Sequence, residues 1–288
     1  MLLRTEQLTK DYGRFRALDQ LDLAIEPGEI VGILGPNGSG KSTALRLMLG
    51  FLRPTSGHAW IQGRECWTDS LEARRHVSYL PGELRLYENM TGRQIVDFLS
   101  RLRGQYLGEQ LDDLARVFDI DVNRPLAQLS SGMKRKVALL QVLLPRTPLV
   151  ILDEPTNTLD PSMRDTLLAQ LVEAKQRGQT VLFSSHVLSE VEQICDRVAI
   201  LQRGRLVHWQ NLAELRQGRH VVARFAGEAT LPPLPGVKLL AQTTTSWNLD
   251  YTGPLADLLA WLAGQPIADL RVGPMGLARI YQQFHPAV

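Results

Sequence analysis

The stretch Gly35-Pro36-Asn37-Gly38-Ser39-Gly40-Lys41-Ser42-Thr43 constrains this chain more than any other part of it. It fits the pattern G-x-x-x-x-G-K-[ST]. It stands between an apolar run, Ile30-Val31-Gly32-Ile33-Leu34, and a helical stretch from Lys41 to Leu49. A buried strand that turns through glycines into a helix points backbone N–H groups inward and adds the positive end of the helix dipole, which makes an anion cradle. In that context Lys41 is placed to reach the β and γ phosphates of a nucleotide, and Ser42 to ligate Mg²⁺. A glycine-rich turn with a chance lysine would not explain both flanks.

The surrounding pattern is that of an α/β core. Further unalternating apolar runs, Leu149–Leu152, Val181–Phe183 and Val198–Leu201, suit parallel strands covered on both faces. Ser162–Arg177 reads as an amphipathic helix, opened by Asp160-Pro161 and closed by Gly178. Between about residues 84 and 144 the pattern is helical, with stripes at Thr91–Arg103 and Gln110–Phe118 and no strong strand between them. After Val207 the character changes. A turn-rich spacer, Leu231-Pro-Pro-Leu-Pro-Gly236, lies among strand-like runs at His220–Phe225, Val237–Gln242 and Ser246–Tyr251, and helical patterns follow at Leu255–Leu262 and Leu277–Phe284. The expected organisation is an ATPase domain over residues 1–207 and a small α+β accessory domain over 208–288. In the accessory part Trp247, Trp261 and Tyr281 read as core rather than ligand site.

At the end of the Leu149–Leu152 run stands Asp153-Glu154. Taken alone, this is a solvated acidic pair capping a strand. Beside a phosphate loop, Asp153 suits the role of holding Mg²⁺ and Glu154 that of polarising an attacking water. Together the two motifs mark a P-loop ATPase or GTPase and do not separate the two.

The separating residues are Leu129-Ser130-Ser131-Gly132-Met133, followed by an apolar helix to Leu144. Here the chain resembles the ABC ATPase family, whose signature reads approximately LSGGQ. Ser131 and Met133 depart from it, while Ser130 and Gly132 are retained. Other family features follow in order: Tyr12 matches the aromatic that stacks on adenine, Asn157–Asp160 the D-loop, and His186 the switch histidine that contacts the γ-phosphate. One position departs. Tyr79-Leu80-Pro81 is followed by Gly82-Glu83, where the family usually has a metal-ligating glutamine. Either Glu83 takes over that contact, or Ser42, Asp153 and waters suffice.

The resemblance covers about Leu2 to Val207. It implies a P-loop core with a parallel sheet, an N-terminal antiparallel β subdomain, a helical insertion, and ATP with Mg²⁺ as substrate and cofactor. It also implies a head-to-tail homodimer, in which Ser130, Ser131, Gly132 and Met133 of one copy close on ATP held by the other. The Leu80–Thr91 segment and the small C-terminal part are similar to ATPases paired with ABC-2-type permeases, many of them exporters. Leu84, Leu86 and Tyr87 become candidates for contact with such a permease or for internal packing. No run approaches the roughly 18 apolar residues that span a bilayer, and Met1–Gly13 is too polar for a signal peptide. The expectation is a cytoplasmic protein held on the inner face of the membrane by its permease. The rival is a soluble ABC ATPase acting on ribosomes or DNA. A net charge of +2, a single motif set and the lack of long coiled-coil patterns disfavour it. Cys66 and Cys195 stand outside any metal or redox motif.

Overall fold

A computed structural model of the chain describes residues 1–227 and 234–284; the Leu231–Pro233 part of the spacer lies outside the described residues. The chain divides into two compact units, Met1–Gln210 and Asn211–Val288. This boundary falls three residues beyond the expected one because Arg205–Asn211 continues as a strand that pairs into the first unit's sheet.

In chain order the first unit runs β1 (Leu3–Tyr12), β2 (Phe15–Ile25), β3 (Ile30–Leu34), α1 (Lys41–Met48), β4 (Ser56–Ile61), β5 (Arg64–Glu65), α2 (Ser70–Arg75) and β6 (Val77–Leu80). It continues with α3 (Gly92–Leu102), α4 (Gly108–Val117), α5 (Ser131–Leu143), β7 (Leu149–Asp153), α6 (Pro161–Gln176), β8 (Thr180–Ser185), α7 (Leu188–Ile194), β9 (Arg197–Gln202) and β10 (Arg205–Asn211). Two sheets form, an antiparallel one in the order β2-β1-β4-β5 and a larger one in the order β10-β9-β3-β8-β7-β6. The neighbours β9, β3, β8, β7 and β6 are mutually parallel. Every residue of β3, β7 and β8 is buried, as the unalternating runs predict. Leu3, Leu21 and Ile25 of the antiparallel sheet share one core with Ile33, Ile151 and Leu182 of the parallel sheet and with Leu45 and Met48 of α1.

The segment between β6 and β7 is helical. Thr91 opens α3 with a capping box: its hydroxyl accepts from Gln94 N at 3.2 Å while the Gln94 side chain accepts from Thr91 N at 2.9 Å. Ile95, Val96 and Leu111 turn the apolar stripes of α3 and α4 inward. The fold is a P-loop α/β core with an antiparallel N-terminal subdomain and a helical insertion.

The second unit contains α8 (Leu212–Gln217), β11 (Arg219–Phe225), β12 (Val237–Gln242), β13 (Ser246–Tyr251), α9 (Leu255–Ala263), β14 (Ile267–Pro274) and α10 (Leu277–Phe284). Its antiparallel sheet has the order β12-β13-β11-β14. Trp247 is buried and stacks on Trp261 with ring centroids 5.6 Å apart, beside Phe225, Leu258 and Leu262, so the tryptophans are core. β14 has no counterpart in the sequence reading, because its residues are half-buried or exposed and show no alternation.

Candidate functional site

The sheet order assembles the site. β3, β8 and β7 are adjacent and parallel, so their C-terminal ends bring together the loop after Leu34, the segment after Ser185 and the pair Asp153-Glu154. Parallel α/β sheets bind ligands at these ends.

In the phosphate loop Gly40 sits at φ 105°, and a Cβ there would lie 2.8 Å from Ala17 O and 3.3 Å from Gly204 Cα. Only glycine allows both the left-handed turn and this approach to the β1–β2 hairpin. That hairpin carries Tyr12, half exposed, with Lys10 Nζ 5.1 Å from its ring centroid. Phe15, opposite Tyr12 in the strand register, is more exposed still. The sequence reading singled out Tyr12 alone; Phe15's place in the tight turn beside it was the available signal. Ser39 is buried and its hydroxyl has no partner, an orphaned polar atom inside the loop. Pro36, Asn37 and Gly38 are exposed, and Ser42 and Thr43 are half-buried at the start of α1.

Lys41 is 6% exposed. Its ammonium donates to Gly35 O at 2.7 Å and Pro36 O at 3.2 Å, and lies 3.1 Å from Glu154 Oε1. The other carboxylate oxygen, Glu154 Oε2, is 2.7 Å from His186 Nδ1. Glu154 therefore sits between a cation and an imidazole, one oxygen to each. Its backbone is left-handed, φ 48°, a strained setting of the kind that collects at functional sites. Three groups hold its backbone: Glu154 N donates to Ser184 Oγ at 2.9 Å, and Arg135 and Asn157 N both donate to Glu154 O. Ser184 Oγ also donates to Asp153 Oδ1 at 2.6 Å.

Arg135, on the first turns of α5, is 2% exposed. It donates to Pro81 O at 3.1 Å, Gly82 O at 3.0 Å and Pro155 O at 3.3 Å as well as to Glu154 O. Burial pushes its pKa down, while the charges of Asp153 and Glu154 push it up. The buried Glu190 accepts from Thr156 Oγ1 at 3.1 Å and Ser185 Oγ at 2.8 Å, tying the two segments that flank His186 and Glu154. Sequence reasoning missed Arg135, Ser184 and Glu190. Each acts on a position 19 to 54 residues away, beyond the reach of a local motif.

Ser130 and Asp160 both cap helices. Ser130 Oγ accepts from Met133 N at 3.3 Å to open α5, and Asp160 Oδ1 accepts from Met163 N at 3.0 Å to open α6. Ser130 and Ser131 are exposed, Gly132 and Met133 half-buried. A Cβ on Gly132 would lie 3.0 Å from Thr158 O, so the signature turn packs on the Asn157–Asp160 segment.

For a metal, the Ser42 hydroxyl and the Asp153 carboxylate named from the sequence would be the oxygen donors, a hard set suited to Mg²⁺. At Gly82 a Cβ would stand 3.2 Å from Asp153 Oδ2, so glycine leaves that carboxylate oxygen uncrowded. Glu83 is exposed. Among the described residues no group of three or more His, Cys, Asp or Glu side chains forms a metal cage, so most ligands of a Mg²⁺ here would be phosphate and water oxygens.

A sequence model of the ABC transporter family matches residues 18–157. An ABC transporter ATP-binding protein of Synechocystis is 32% identical over 276 residues, 92% of this chain and 76% of that protein. The bacitracin transport ATP-binding protein BcrA of Bacillus licheniformis is 34% identical, over 72% of this chain and 68% of its own. The chain belongs to the ABC transporter ATP-binding protein family. It is an ATPase cassette, the ATP-binding subunit of an ABC transporter. The probable multidrug ABC transporter ATP-binding protein YbhF of Escherichia coli is 35% identical over 72% of the cassette, a match that spans 36% of YbhF. Among solved structures, an ATP-binding subunit of an ABC transporter superposes with TM-score 0.70 at 31% identity, covering 75% of this chain and 92% of that one. A dimeric cassette in a post-hydrolysis state bound to ADP and Pi shares the fold, with TM-score 0.67 at 24% identity over 73% of this chain and 99% of that one.

Proposed function

We propose that the cassette is the motor of an exporter. It works as two copies closed head to tail around ATP and Mg²⁺, and drives a separate membrane permease from the inner face of the cell membrane. The observation that carries the reading is the Glu154 carboxylate shared between Lys41 and His186 at the mouth of the phosphate loop. The relatives BcrA and YbhF, which bear the names of a bacitracin transport and a probable multidrug transporter protein, support a transport motor. No helix among the described residues is long and apolar enough to cross a membrane, so in this reading a partner supplies the spans.

The roles follow from charge and reach. Tyr12 stacks on adenine. Backbone N–H groups of Gly35–Thr43 and the α1 N-terminus cradle the phosphates. Lys41 leaves the Gly35 and Pro36 carbonyls and Glu154 for the β and γ phosphates, where its charge is better matched. That frees Glu154 Oε1 to accept a hydrogen bond from water and orient it toward the γ-phosphorus. His186 keeps Glu154 Oε2 engaged and stands beside the γ-phosphate. Ser42 and Asp153 would hold a Mg²⁺ ion, which when bound would supply charge neutralisation at the phosphates. The exposed Ser130–Met133 turn, at the positive end of α5, meets the phosphates bound by the other copy, with Asp160 near the same interface. ATP then acts as an interfacial ligand whose binding closes the pair and whose hydrolysis opens it.

Glu154→Gln tests this. The variant should bind ATP, hydrolyse it slowly and accumulate as a dimer in size-exclusion chromatography. A variant that stays monomeric at saturating ATP would remove the interfacial site.

A further inference from the structure

Glu190 is 4% exposed, a buried carboxylate that none of the steps proposed for hydrolysis uses. It has no ion-pair partner among the described residues, and its Oε1 is buried without a hydrogen bond. A buried carboxylate without a cation is costly, and an apolar side chain of similar size would serve packing better. The position therefore needs a reason other than filling space.

Helix capping is not that reason. Glu190 is the third residue of α7, from which a Glu can reach back to the N–H of the residue before the helix. That N–H, of Val187, already donates to Ser185 Oγ at 2.9 Å. Glu190 instead turns Oε2 to two hydroxyls: Ser185 Oγ donates to it at 2.8 Å and Thr156 Oγ1 at 3.1 Å. Both hydroxyl residues are buried.

These hydroxyls lie on either side of the His186–Glu154 contact. Ser185 precedes His186, and its oxygen also holds Val187 on the far side, so the backbone that carries the imidazole is closed at both ends. Thr156 lies two residues beyond Glu154. One carboxylate oxygen thus joins the two segments whose side chains meet at 2.7 Å, His186 Nδ1 to Glu154 Oε2. Side chains alternate along β8, so Ser184 faces Asp153 and Glu154 while Ser185 faces Glu190. The His186 side chain is 48% exposed, so packing does little to aim it and its backbone must.

We propose that Glu190 is a positioning residue for ATP hydrolysis, whose carboxylate holds His186 against Glu154 from outside the phosphate loop. This role rests on the parts assigned above to Glu154 and His186. With the tether cut, the Ser185 hydroxyl loses its acceptor and is free to turn from Val187 N, and the His186 segment separates from Thr156. A displacement of about 1 Å in such a site costs about a hundredfold in rate. Nucleotide binding should be spared, because the Glu190 bonds reach no residue of Gly35–Thr43.

Steady-state ATP hydrolysis by the full chain tests this, with Tm and ADP affinity measured to show that each variant is folded. Glu190→Leu should lower kcat at least about tenfold and leave KM for ATP within about twofold. Glu190→Gln keeps an acceptor oxygen at the same reach and should retain at least about a third of the wild-type rate. Thr156→Val removes one of the two hydroxyls; it should lower kcat with KM unchanged and add little to Glu190→Leu. In a His186→Ala background Glu190→Leu should cost less than about threefold more, because the group it positions is gone. A smaller fall in Glu190→Leu overturns the proposal. So does a KM that rises in step with the fall, a Gln variant as slow as the Leu variant, or the full loss repeated in the His186→Ala background. If Glu190→Leu does not fold, Thr156→Val decides, and an unchanged kcat there overturns the tether. A His186→Ala cassette at the wild-type rate would sink the part assigned to His186. A slow His186→Ala beside a fast Glu190→Leu would sink the tether alone.

Discussion

Replacing Arg135 by methionine keeps the length and apolar stem of the side chain and removes its donors. The guanidinium serves four backbone carbonyls. Glu154 O keeps a second donor, Asn157 N at 3.2 Å. Pro81 O, Gly82 O and Pro155 O have no other donor among the described residues, so one buried and two part-buried acceptors lose their donor. At about 1 kcal/mol each, the low end for a buried unsatisfied group, the loss is at most about 3 kcal/mol, because water reaches the two part-buried carbonyls. For a unit of this size that ceiling is roughly 6–12 °C in Tm, read by circular dichroism. The ATPase rate should fall further than stability accounts for, because Arg135 is one of three groups, with Ser184 and Asn157 N, that hold Glu154 in its left-handed conformation. Arg135→Lys should recover little, since a single ammonium does not reproduce a planar fork across two loops. A methionine variant with Tm within about 2 °C of wild type and an unchanged rate would refute the clamp.

Glu83→Ala should leave the Mg²⁺ dependence of hydrolysis unchanged, because Glu83 is exposed and, in the proposed site, Ser42 and Asp153 are the oxygen donors; a raised Mg²⁺ requirement would make Glu83 the substitute for the usual glutamine. Burial pushes the Asp19 carboxyl up, but the hydrogen bonds and charges of Arg205 and Arg16 outweigh it and hold the pKa below its ordinary value. A depressed folded pKa stabilises above the unfolded value, about 3.9, and that contribution disappears as pH falls through the folded one. The Tm gap between wild type and Asp19→Asn should accordingly be present at neutral pH and close below about pH 4; a gap that widens there would contradict the pairing. Burial, with the charge of Glu65, pushes the Cys66 thiol up to about 12, and Cys195 is fully buried. Iodoacetamide at pH 8 should modify neither thiol until denaturant is added, and rapid native labelling, measured by mass spectrometry, would show that the core opens.

The parts of the site that the sequence made legible are those whose chemistry is local. Gly35–Thr43 carries its strand, turn and helix within one short stretch, and Asp153-Glu154 ends a run whose burial on both faces shows in its composition. The α3 and α6 boundaries were readable from Thr91 with Gln94 and from Asp160-Pro161, because capping is a matter of neighbouring residues. β14 was not readable: its residues show neither alternation nor an apolar run. The end of the first unit was placed too early because β10 is half-buried, and only its place beside β9 assigns it to that unit.

By itself, then, the sequence determined that a phosphate loop, an acidic strand end and a signature turn exist, and in what order. Tertiary structure alone decided which of them meet. Adjacency of β3, β8 and β7 places Lys41, His186 and Glu154 within hydrogen-bonding distance across 145 residues of chain. The same packing turned Arg135, which reads as one more charge in Lys134-Arg135-Lys136, into a buried clamp. The physical reason is that burial and hydrogen-bond partners are set by which surfaces pack together, and a helix pattern records which face turns inward without recording what waits there.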